Sequence, residues 1–176
     1  MVVNMLMLAN APDSHESGLT LVELIIVMTV IGILVGFSFA IVRSYQYSGR
    51  DAERASDAES TARAFEISYL RDATSAGPSY PDTVSATTTS GYSTLFKGQD
   101  LDMTRSPGQI TGTSIVAATT NSESQTPTKD QYIYLPLTAA GALCTSSTTT
   151  PCVRFSLYYR IEDGNTIKIV ESVHQQ

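Results

Sequence analysis

The sequence predicts an α+β fold: a long N-terminal α-helix, its first half membrane-embedded, packed against a small C-terminal antiparallel β-sheet. Three observations predict it. Residues 24–42 hold no ionisable side chain, the following residues keep small and aromatic side chains at spacings of three and four up to a Gly77-Pro78 stop, and the chain ends in segments of period two. At 176 residues the length suits one modest domain plus a membrane or targeting segment.

The apolar run opens as SGLTLVELIIV from Ser17. Its uncharged part covers roughly 28 Å as a helix, close to the hydrocarbon thickness of a bilayer. A cleaved secretory signal is the alternative, with Ser38-Phe39-Ala40 as a small-x-small site. That alternative needs a basic head and a shorter apolar core, whereas this head carries Asp13 and Glu16 and no Lys or Arg. A membrane span fits better. Arg43, Arg50 and Arg54 follow the run, so the positive-inside rule, applied literally, puts the C-terminal part in the cytoplasm. Glu23, near the start, has no cation within the run to pair with. A carboxylate there is costly in lipid and calls for compensation from outside the segment, or rests at the interface on its own helix dipole. Gly32 and Gly36 form a G-x-x-x-G spacing, which serves helix packing or local melting equally well.

Past the run, Ala52, Ala55, Ala58, Ala62, Phe65 and Tyr69 recur on one stripe, with Glu53, Arg54, Asp57, Glu59, Arg63 and Glu66 around the other faces. The pattern predicts a helix to about residue 76 whose apolar stripe a sheet covers. Residues 77–130 are Thr- and Ser-rich and predict a long connecting segment, with apolar islands at 92–96 and 110–118 that fold partly onto the sheet. Val153, Phe155, Leu157, Tyr159 and Ile161 alternate with polar residues, and 165–173 supplies a second strand across Glu162-Asp163-Gly164. A two-residue turn would set Tyr159 opposite Lys168. The apolar match favours a three-residue loop with Gly164 left-handed, which sets Tyr159 opposite Ile167 and Leu157 opposite Ile169. A third strand, 132–135, ends at Pro136, which points to a sheet edge.

The formal charge of −6 argues against a broad phosphate-binding face, so nucleic acid is not an expected partner. His15 and His174 lie in no catalytic or metal spacing and are expected in solvent. Asp100, Asp102 and the 162–165 turn lack the ligand density of a calcium loop and are expected as solvated turns. Cys144 and Cys152 have no second pair to make a zinc site. No enzyme activity, metal or cofactor is expected. If the run crosses the membrane and the cysteines lie outside the cytoplasm, a disulfide between them is permitted, two separate thiols being the alternative.

The stretch GLTLVE at Gly18 to Glu23, opening an apolar helix that turns amphipathic and ends in a small sheet with a late cysteine pair, resembles the type IV pilins and pseudopilins. The resemblance implies that a prepilin peptidase cuts after Gly18 and methylates Leu19, and that Glu23 pairs with the N-terminal amine of a neighbouring subunit in a filament. It implies a division into a leader (1–18), a membrane and filament-core helix (19–42), an amphipathic helix of the head (43–76), a connecting segment (77–130) and a sheet with a disulfide loop (131–176). The expected partners are copies of the chain itself, the prepilin peptidase, the inner-membrane assembly machinery and, for the precursor, the membrane. The expected role is a structural subunit of a surface pilus serving motility, adhesion or DNA uptake. A pseudopilin or minor pilin, or a pilus-borne adhesin module, is the alternative.

Overall fold

The computed structural model describes residues 18–71, 77–98, 101–147 and 150–174. Helix α1 spans Leu21–Arg71 and a short α2 spans Thr89–Leu95. The strands are β1 (Ile115–Ala117), β2 (Tyr132–Thr138), β3 (Cys152–Arg160) and β4 (Ile167–Glu171), with 3-10 turns at Leu101–Thr104 and Asp163–Asn165. The chain divides into two units, Met1–Val42 and Arg43–Gln176. His15 and Asp100 lie outside the described residues, as do residues 72–76, where the predicted helix end falls.

In the first unit, α1 is long and apolar enough to cross a membrane. Its large apolar side chains from Leu21 to Phe37 stay exposed. The two hydroxyl groups deepest in the run are satisfied internally, Thr29 Oγ1 donating to Ile25 O and Ser38 Oγ to Leu34 O. Such back-bonding lets a hydroxyl enter lipid without an orphaned donor.

In the second unit the four strands form one sheet in the order β1-β2-β3-β4. The expected antiparallel pairing holds for β2, β3 and β4, but the sheet is mixed, because β1 pairs parallel to β2. The second half of α1 packs on one face, with Phe65 as the hub: its ring lies 4.5 Å from Tyr134, 5.5 Å from Phe155 and 5.7 Å from Phe96. Of the predicted stripe, Ala58, Ala62 and Phe65 are buried and Ala55 and Tyr69 pack at the margin, but Ala52 is exposed. Arg54, assigned to a solvent face, is buried instead. Leu135, Leu137, Tyr158 and Ala118 make a smaller cluster separate from this core.

Two strand expectations are corrected. Tyr159 stands opposite Lys168 and Leu157 opposite Val170, so the apolar partner of Leu157 is Val170 and not Ile169, which faces Tyr158. The turn is longer than three residues: Ile161 N donates to Thr166 O, and both Gly164 (φ 72°) and Asn165 (φ 53°) are left-handed. Strand β2 is internal despite Pro136. The even-numbered residues of β2 turn their backbone toward β1, which ends at Ala117, before it reaches Pro136, so the missing N–H has no ladder partner to lose. The Pro136 carbonyl accepts from Cys144 N at 2.9 Å instead.

The turn is also tied to α1, and Glu162 is not a solvated acid. Glu162 Oε1 accepts from Arg50 Nε at 3.0 Å and Arg54 Nη2 at 3.1 Å, while Asp51 takes the N–H groups of Glu162 and Asp163 at 2.8 and 2.9 Å. Arg54 Nη1 completes the clamp on Asp51 at 2.6 Å. Arg50 and Arg54 together pull the Glu162 carboxyl down to about 2, against the upward push of burial. One turn further along α1, burial beside Glu53 and Asp102 pushes Asp57 up to about 6. The signs oppose each other. The stability Glu162 contributes is present above the ordinary carboxylate range and is lost as the pH falls toward 2, whereas ionising Asp57 removes stability as the pH rises from about 4 through 6. Head stability against urea is therefore expected to fall between pH 4 and 6.5 through Asp57, and Asp57→Asn to flatten that limb. An unchanged limb in the Asn variant would contradict the assignment.

His174 is likewise not simply solvated. Its ring stacks on Tyr69 at 4.6 Å, and Nδ1 lies 3.1 Å from Glu66 Oε2, which also accepts from Tyr80 OH at 2.8 Å. Val173 N donates to Glu66 Oε1, so the end of the described chain is fastened to α1.

Candidate functional site: the start of the apolar helix

Gly18, Leu19 and Thr20 precede the first helical residue, Leu21, and all three are exposed. The helix starts here because Thr20 and Glu23 form a capping box. Thr20 N donates to Glu23 Oε2 at 2.8 Å, Glu23 N donates to Thr20 Oγ1 at 3.3 Å, and the Thr20 hydroxyl closes the ring on Oε2 at 2.8 Å. Two helix-end donors that have no partner within the helix are thereby satisfied. Leu24 N to Thr20 O, at 3.2 Å, is the first helical hydrogen bond.

This geometry supplies a compensation for Glu23 that the reading by composition missed. The donors are the backbone and side chain of Thr20, three residues earlier, and the signal was present as Thr-x-x-Glu just before an apolar run. Both Thr20 donors go to Oε2; among the described residues Oε1 has no hydrogen-bond partner. Gly18 and Leu19 lie ahead of the capping residue, outside the helix. A Cβ added at Gly18 would meet nothing within 4 Å.

The two cysteines belong to the second unit. Cys144 and Cys152 are bonded, with Cα atoms 5.6 Å apart. Tyr80 N donates to Cys152 O at 2.8 Å and Thr83 N to Cys144 O at 3.2 Å, and Asp82 takes Ser147 N at 3.0 Å, so the segment around residues 79–83 lies along the closed loop. In the chain-entropy model a loop of this size stabilises by about 2.5 kcal/mol. Cys144→Ser is expected to lower head stability by about that much, and the native pair to resist alkylation until reduced. Alkylation without reductant would contradict the bond. Among the described residues no group of three or more His, Cys, Asp or Glu is placed to hold a metal ion.

Residues 13–39 match the prokaryotic N-terminal methylation motif. The chain therefore carries the signature of type IV pilin and pseudopilin prepilins, and that signature covers the Gly18–Leu19 bond, the capping box and most of the apolar run. No curated protein and no solved structure was found to match this chain.

Proposed function

We propose that the chain is the precursor of a structural subunit of a type IV pilus, cut after Gly18, methylated on Leu19 and polymerised through its N-terminal helix with Glu23 facing a neighbour's amine. The observation that carries this is the position of the methylation motif: its glycine and the residue after it form a non-helical, exposed dipeptide directly ahead of a capped apolar helix. A peptidase needs an accessible bond outside regular structure, and the exposed, non-helical Gly18 and Leu19 support that reading. The remaining oxygen of Glu23 is available to an amine, while the uncovered apolar surface of α1 suits first a membrane and then a filament core. The disulfide suits a head outside the cytoplasm.

Gly18→Val tests the processing step. A Cβ at Gly18 meets nothing within 4 Å among the described residues, so crowding in the peptidase is the expected cause of a block in cleavage. With the peptidase co-expressed, the wild-type chain is expected to shorten and the valine variant to stay full length in the membrane. Equal cleavage of both would contradict the assignment of the bond. The amount of protein in the surface-sheared fraction then separates an abundant pilus subunit from a minor pilin or pseudopilin.

A further inference from the structure

Between the apolar run and the first residue that touches the sheet lies a stretch of α1 that nothing in the described chain covers. Residues 43–49, Arg-Ser-Tyr-Gln-Tyr-Ser-Gly, are all exposed, Tyr45 at 74% and Tyr47 at 44%. The head begins at Arg50, whose guanidinium is held by Glu162 and lies 5.0 Å over the Tyr47 ring. Tyr47 thus carries an arginine on one face and is otherwise half open, and Tyr45 has no ring or hydrogen-bond partner among the described residues.

The placement of the two rings points to their surroundings. Tyr45 and Tyr47 are two residues apart and so about 200° apart around the helix, on opposite sides. A docking protein reads one face and selects aromatic residues three or four apart, whereas an environment that surrounds the helix is met by rings on both sides. The length agrees. Seven residues rise about 10 Å, somewhat more than the 5–8 Å headgroup layer on each side of a hydrocarbon core. The stretch directly follows the uncharged run, and its composition, a long cation followed by amphipathic rings among serines and a glutamine, is that of a membrane–water interface.

We infer that residues 43–49 form an interfacial anchor, occupying the lipid headgroup layer in the unassembled subunit, with Tyr45 and Tyr47 as the anchoring rings and Arg43 reaching the phosphates. The inference rests on the membrane-span reading of the apolar run. The anchor fixes the depth of the span.

Spin labels on single cysteines at Leu34, Ser44, Ser48 and Thr111, in the full chain with the native disulfide kept oxidised, test this in phosphatidylethanolamine–phosphatidylglycerol vesicles at low protein-to-lipid ratio. The Leu34 label is expected to collide with oxygen and not with an aqueous nickel chelate, the Thr111 label to collide freely with the chelate, and the Ser44 and Ser48 labels to fall between them in that order of depth. The double variant Tyr45→Ser, Tyr47→Ser is expected to raise nickel access at Ser44. Ser44 and Ser48 labels as open to nickel as Thr111, with Leu34 still shielded, would overturn the anchor while leaving the span intact. A nickel-accessible Leu34 would overturn the span reading itself. Shielding at Ser44 that appears only at high protein-to-lipid ratio would assign the stretch to a second copy of the chain and overturn the lipid assignment.

Discussion

Replacing Glu23 with alanine is expected to leave the precursor in the membrane with its head folded, and to bring the filament sheared from cells down to background. Two physical roles meet in this carboxylate. One is local: Oε2 caps the helix through Thr20. Losing it frays a first turn and also removes a charge from the apolar run, two effects on insertion that oppose each other. The other is the proposed intermolecular one, Oε1 to a neighbour's amine, for which an alanine variant has no substitute. Thr20→Ala separates the two, because it dismantles the cap and keeps the carboxylate. A larger loss of filament from Glu23→Ala than from Thr20→Ala, at equal membrane levels, is the expected result; equal and small losses would leave Glu23 as a helix cap alone. Glu23→Asp tests the reach of the pair.

Arg54→Ala is expected to cost the head about 3 kcal/mol, the low end for breaking a buried ion pair, since Arg50 still holds Glu162. Arg54 is 1% exposed and joins Asp51 on its own helix to Glu162 in the β3–β4 turn. Its removal leaves Glu162 to Arg50 alone and Asp51 to the two N–H groups of the turn. Arg63→Ala is the control: the Arg63–Glu59 pair is exposed on both sides, and its loss is expected within about 0.5 kcal/mol. Urea unfolding of the isolated variants measures both, and similar midpoints for the two would contradict the clamp.

These two sites also show what was legible beforehand. The helix declared itself because its apolar spacing persists over many turns, and the two C-terminal strands because their alternation is long enough to have a period. Strand β1 has three residues inside a Thr- and Ser-rich stretch, too few for any period, and its parallel partner begins 15 residues later. The hairpin register was misjudged for a tertiary reason. Asp51 and the two arginines on α1 shape the turn, and a match of apolar residues between two strands carries no trace of them. Arg54 looked like a surface charge because its partner Glu162 is 108 residues away. Thr20 differs: the capping pattern is wholly local, and Thr-x-x-Glu ahead of an apolar run is enough to read it.

Intact-mass measurement of the chain recovered from a cell that makes the prepilin peptidase tests the proposed cut at the Gly18–Leu19 bond. The expected product has lost residues 1–18 and carries one methyl group on the amine of Leu19. A recovered chain that retains those residues, or one cut near Ala40 as a secretory signal would be, would contradict it.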